Sequence, residues 1–186
     1  MSPPPSSFET LLDRFQRPLI RYALTFTPNL EDARDIVQDT FIKLASALPS
    51  LDPDRIAPWL FTVCKNQSVD HHRKLHRLIP MDSATLELES PPDPAPSPSE
   101  DLEHAETATA LHHLINQLPD RQREAVKLKF IAGLDYKQIS QAMDTTIGNV
   151  GYLIHHGVAA LRTKWQAMEN ETPAPGKARS PALAAA

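Results

Sequence analysis

Apolar residues recur at helical spacing along most of this chain. In "FETLLDRFQRPLIRYALTFT" they fall at Leu11, Leu12, Phe15, Leu19, Tyr22 and Ala23, one face of a helix that Pro18 should kink or break. "PNLEDARDIVQDTFIKLASAL" places Asn29 at a plausible cap and acids in the first turn, and both suit a helix start. Its apolar face is Ile36, Val37, Thr40, Phe41, Leu44 and Leu48; Asp32, Asp35, Gln38, Asp39 and Lys43 lie opposite. "PSLDPDRIAP" interrupts the helices with three prolines. "WLFTVCKNQSVDHHRKLHRLI" then resumes them, with Trp59, Leu60, Val63, Cys64 and Val69 inward and a basic end.

The second half repeats the pattern with shorter helices. One is expected over residues 107–117. Another is expected in "LPDRQREAVKLKFIAG", opened by Pro119 and Asp120 and closed by Gly133. "DYKQISQAM" and "IGNVGYLIHHGVAALRTKW" follow around a tight turn. In the last helix Ile147, Val150, Ile154, Val158 and Leu161 share a side; Gly148, Asn149, Tyr152, His155 and His156 lie opposite. Ser140, Asp144 and Val150 fit the spacing of a helix-turn-helix. Asp144 stands where many such turns carry glycine, and aspartate tolerates the left-handed conformation better than most residues. The expected fold class is all-α: two small helical domains, residues 7–79 and 105–168, joined by a flexible acidic, proline-rich linker over 80–104. Residues 169–186 form a tail expected to be disordered.

Charge sharpens that division. The net charge is −4, but residues 81–110 alone carry −8, so the remainder is positive by four. Residues 59–80 hold Lys65, Arg73, Lys74 and Arg77 against Asp70. "SPPDPAPSPSEDLE" has too few large apolar residues to offset the entropy of ordering it. The lone Cys64 lies in an apolar run, as a core thiol in a reducing compartment does. No signal-peptide pattern and no membrane-spanning run occurs, so a cytoplasmic protein without direct membrane association is expected.

Candidate chemistry is sparse. Asp35 and Asp39 are one helical turn apart, and a solvated acidic face is the ordinary meaning of such a pair. The histidines fall as adjacent pairs that do not face one another; His72 and His76 are one turn apart but lack a third ligand. There is no nucleophile motif and no phosphate-binding glycine loop. Neither an enzyme, a metal site nor a cofactor is expected.

Three segments carry a family resemblance: "EDARDIVQDTFIKL", "APWLFTVCKNQSVDHHRK" and "LPDRQREAVKLKFIAGLDYKQISQAM". In this order, with an acidic linker between them, they resemble the extracytoplasmic-function (ECF) sigma factors of bacterial RNA polymerase. The resemblance covers roughly residues 8–79 and 105–165. It implies a region 2 domain that binds core polymerase and melts the minus-ten element. It also implies a region 4 domain that binds the polymerase flap and reads the minus-thirty-five element.

Site residues follow from the match. Asp35, Gln38 and Asp39 correspond to the polymerase-contacting surface. Lys65, Asn66, Arg73, Lys74 and Arg77 lie in the minus-ten reader, where the cations can neutralise phosphates and Asn66 can address a base edge. The loop Pro49 to Ala57 would form one wall of a pocket for an unstacked base. Trp59 is assigned to the core. In region 4, Lys137, Thr145, Thr146, Asn149, Tyr152 and His156 can reach the upstream element.

Gly151, Leu153 and His156 stand where relatives often place Lys or Arg. Positive charge must then come from Arg121, Arg123, Lys127, Lys129, Lys137, Arg162 and Lys164. Implied partners are core RNA polymerase, promoter DNA and an anti-sigma protein, with the free factor a monomer. Two other readings stay open at this point. One is a helix-turn-helix regulator acting without polymerase; the other is a polymerase-binding protein that does not read DNA.

Overall fold

The computed structural model describes residues 7–27, 29–78 and 98–171, with side chains undescribed for 75–78, 98–106, 169 and 171. Every regular element among them is helical. The helices are α1 (Phe8–Ala23), α2 (Leu30–Ala47), α3 (Ile56–Leu78), α4 (Pro98–Asn116), α5 (Asp120–Val126), α6 (Tyr136–Ala142) and α7 (Ile147–Glu171). Short 3₁₀ turns, Leu48–Ser50 and Pro53–Arg55, link α2 to α3. Residues 79–97, most of the expected linker, lie outside the described residues, as does the tail beyond 171. α4 starts within the segment read as linker, earlier than the helix expected from residue 107.

Local signals set the boundaries. Ser7 caps α1, its Oγ accepting from the Thr10 amide, and the helix runs through Pro18 without a break. Asn29 caps α2 by accepting from the Glu31 amide. Asp135 and Gln138 form a reciprocal capping box on α6. Beyond α5 the helix widens into a π-helical turn, Lys127–Ile131, closed by the Ala132 amide donating to the Lys127 carbonyl. Gly133 follows with φ 74°, a left-handed position that glycine fills without steric cost.

α1, α2 and α3 bury the faces expected of them: Leu11, Phe15, Leu19, Tyr22, Ile36, Val37, Phe41, Leu44, Leu60 and Cys64 are all enclosed. Phe61, not among the expected inward residues, is fully buried, whereas Trp59 is half-buried against the core. Tyr22 meets Phe61 and Phe26 edge-on, with ring centroids 5.3 and 5.2 Å apart. Such pairs contribute roughly 0.5–1.5 kcal/mol each beyond the area they bury. Burial pushes the Cys64 thiol up to about 12.

In the second half α5 crosses α7 closely at Gly157. A Cβ there would come within 2.8 Å of the Val126 side chain, so only glycine admits this approach. α7 departs from its expected face in two places. Ile147 is 54% exposed and Leu153 is buried, because the helix packs from Val150 onward and its first residue overhangs the turn.

The two groups of helices are not separate bodies in this structure. One core cluster runs from Leu11 in α1 to Ile154 in α7. α6 packs on α3, and the π-helical turn packs on α1. The expected division into two small domains says nothing of this contact.

Candidate nucleic-acid and polymerase interfaces

On α2, Asp35, Gln38 and Asp39 are exposed, together with Ile42. They share one helix face because positions three and four apart align. An acidic strip beside an exposed isoleucine suits a partner that offers both cations and apolar contact.

On α3, Asn66, Arg73 and Lys74 are exposed. Arg73 reaches Asp70 only at 4.0 Å, with both side chains about two-thirds open, a pair of little energetic weight. Arg77 lies where side chains are undescribed. Lys65 is different: its ammonium sits 3.2 Å from a Glu124 carboxylate oxygen on α5, and the side chain is 39% exposed.

The helix-turn-helix is built from α6, the turn 143–146 and α7. Asp144 holds φ 48°, the left-handed conformation expected of it. The Asn149 amide donates to Thr146 Oγ1, which opens α7, and Asn149 Nδ2 donates to Thr145 Oγ1 at 2.9 Å. Thr145 thus orients the Asn149 side chain, while Thr146 holds its backbone in the first turn. Tyr152, 58% exposed, meets the His156 ring at a tilt, with centroids 4.1 Å apart. Thr146, Asn149, Tyr152 and His156 thus make one polar, uncharged strip. Lys137, on α6, pairs with Asp54 at 3.0 Å, and that hydrogen bond first, then the charge, raises its pKa.

The structure corrects two sequence-based assignments here. Leu153 belongs to the core, so no cation at that position could face DNA. Lys127 is not a source of surface charge. It is 4% exposed, donates to the Thr25 carbonyl at 3.2 Å and lies 4.6 Å from the centre of the Phe26 ring. Burial is the main reason its pKa falls to about 8; the nearby Arg123 adds to the fall. Of the other cations, Arg123 is held by Asp120 and the Asn116 carbonyl, and Lys164 by Gln117. Arg121 and Arg162 stay exposed.

One group that sequence reasoning missed is Glu124. It is 9% exposed and accepts from the Tyr22 hydroxyl at 2.6 Å. Burial first, and the Glu124 charge second, hold the Tyr22 phenol protonated and able to donate. The signal was present in "EAVKLKF": Glu124 and Lys127 interrupt an apolar stripe one turn apart.

Among the described residues no cluster of His, Cys, Asp or Glu could hold a metal ion, and no helix is long and apolar enough to cross a membrane. The class defined by these features is a helical, helix-turn-helix DNA-binding protein with a second cationic helix and an exposed acidic face.

Comparison with known proteins gives the family. Residues 11–78 match Sigma-70 region 2, and residues 108–161 match Sigma-70 region 4. A relative in Bacillus subtilis, ECF RNA polymerase sigma factor SigM, is 28% identical over 77% of this chain and 85% of its own length. ECF RNA polymerase sigma factor SigE of Mycolicibacterium smegmatis is 27% identical over 89% of this chain, a match spanning 64% of the relative. Among solved structures, CnrH in complex with the cytosolic domain of CnrY superposes with a TM-score of 0.59 at 25% identity, covering 86% of this chain and 88% of that one. Sigma factor RpoE from Bartonella quintana, in complex with the anti-sigma factor NepR, shares the fold with a TM-score of 0.65 at 23% identity, covering 87% and 98%. The chain belongs to the sigma-70 family, whose members direct RNA polymerase to promoters, and the relatives it matches are named ECF sigma factors.

Proposed function

We propose that the three surfaces divide the work of initiation. Asp35, Gln38 and Asp39 on α2 contact core polymerase. Lys65, Asn66, Arg73, Lys74 and Arg77 on α3 hold the minus-ten element, the cations on phosphates and Asn66 on an unpaired base. Thr145, Thr146, Asn149, Tyr152 and His156, with Lys137 on phosphate, read the minus-thirty-five element. Residues 7–79 act as region 2 and 105–168 as region 4, joined by 80–104 and followed by the tail 169–186. The protein works in the cytoplasm with polymerase at the nucleoid, is a monomer when free, and pairs with an anti-sigma protein, as RpoE does with NepR.

The observation that carries the reading is the position of Asn149. A side-chain hydrogen bond to Thr145 orients it in the first turn of α7, where helix-turn-helix proteins contact base edges. An oriented asparagine can pair bidentately with adenine.

The polymerase surface is tested by charge reversal. Asp35→Lys with Asp39→Lys should abolish co-purification with core polymerase while leaving the helical circular dichroism unchanged, since exposed substitutions cost little stability. Retained co-purification contradicts the assignment.

A further inference from the structure

α7 has no lysine or arginine before Arg162, yet it carries two adjacent histidines, His155 and His156, both exposed. Their rings meet edge-on with centroids 5.5 Å apart, and His156 also lies against Tyr152. Adjacent positions on a helix point about 100° apart. His156 therefore shares the side of Asn149 and Tyr152, while His155 points to the flank of that strip.

The flank is shaped. His155 and Arg162, two turns apart, line a depression of about 280 Å³ together with Gly151, and Tyr136 at the start of α6 forms its other wall. Gly151 leaves the floor open, with nothing within 4 Å of where a Cβ would stand.

The size of the DNA groove decides what this flank meets. A helix with its side chains is about 10–12 Å across, and the major groove is about 12 Å wide. When Asn149 and Tyr152 point at base edges, a residue some 100° around the helix faces the groove wall, where the phosphates are. Arg162 is a permanent cation there. His155 is a second cation when protonated. His156, two turns beyond Asn149, lies where a straight helix leaves the curved groove and passes the strand.

The groups around the pair leave its protons to an external anion. From α6, the wall is Tyr136, whose ring lies 5.2 Å from Lys129 Nζ; Asp135 is taken up as the cap of α6, and Lys137 is paired with Asp54. From α5, Val126 and Gln122 stand opposite at Gly157, and the acids Asp120 and Glu124 are paired with Arg123 and Lys65. α4 reaches α7 about two turns farther on, where Lys164 donates to Gln117. Among the described residues neither imidazole is ion-paired with a carboxylate.

We propose that His155 and His156 form a proton-operated phosphate clamp, so that the grip of α7 on the upstream element tightens as pH falls. This rests on the assignment of α7 to that element. The sign follows from linkage. Phosphate stabilises the imidazolium, so the DNA-bound form holds more protons than the free form, and affinity rises as pH falls. The gain is present at acid pH and lost as the imidazoles give up their protons. α7 thereby carries positive charge conditionally, where Lys or Arg would carry it always.

The test uses the full chain bound to core polymerase on two promoter templates, one with the upstream element and one cut just downstream of it. The ratio of the two affinities isolates α7, because histidines elsewhere act equally on both templates. At constant ionic strength this ratio should rise about tenfold from pH 8 to pH 6, and its salt slope should steepen by about 1–2. His155→Gln with His156→Gln should flatten the pH dependence. His155→Lys with His156→Lys should hold the ratio high at every pH. A wild-type ratio above one that does not change with pH overturns the clamp, as does a glutamine variant that keeps the dependence. A wild-type ratio of one at every pH overturns the assignment of α7 to the upstream element, and the clamp with it.

Discussion

The two helices that we propose read DNA, α3 and α7, present different residues. α3 carries Arg73 and Lys74, exposed like Asn66, and the partly buried Lys65 paired with Glu124. α7 presents Asn149, Tyr152 and His156 and no lysine or arginine before Arg162. Cations attract any phosphate and hold a strand whatever its sequence; amide and ring groups carry sequence information but little long-range attraction. On the proposed assignment, the first helix holds DNA that is being opened and the second discriminates among duplexes it meets while tethered to polymerase. Tethering raises the local concentration of DNA around α7, so weak intrinsic affinity suffices there.

The largest expected effect comes from removing charge on α3. Arg73→Ala with Lys74→Ala should weaken promoter binding by the polymerase complex across all sequences and reduce the slope of log affinity against log salt by about 1.5–2, two contacts' worth. Titrating complex formation at several salt concentrations measures this. A slope that does not change would mean that α3 does not hold phosphates and that the contrast between the helices is wrong.

A smaller effect separates holding from melting. Asn66→Ala should reduce open-complex formation more on a duplex promoter than on one with a pre-opened bubble, because part of its work is capturing an unpaired base. Comparing opening rates on the two templates decides this. Equal losses on both would reduce Asn66 to a simple binding contact.

The same contrast explains what could be read from the sequence. The helices were legible because their cores follow a 3.6-residue period, and the cap at Asn29, the start of α5 at Asp120 and the turn at Asp144 obey local rules. The π-helical turn was not, since nothing in "KLKFI" distinguishes it from an α-helix. Ile147 was misplaced on α7 because a helical wheel gives the apolar face but not where along the helix the packing begins. Lys127 was read as surface charge for a related reason. A lysine beside an apolar stripe is normally solvated, and only its contact with Thr25 and Phe26, about a hundred residues away in sequence, places it inside. The polar strip of α7 was legible as a whole: Gly148, Asn149, Tyr152, His155 and His156 lie on the side expected of them.

The most direct test of the account is promoter activity, with core polymerase, across all single-base variants of the upstream element. The wild-type factor should show positions where the wrong base costs activity. Asn149→Ala should erase the preference at one of them, a loss of about 1–3 kcal/mol there, while Lys137→Ala lowers activity evenly across the set and reduces the salt slope by about 1. A profile that Asn149→Ala leaves unchanged, or a wild-type profile with no preferred base at any upstream position, would contradict the claim that α7 reads DNA through its uncharged face.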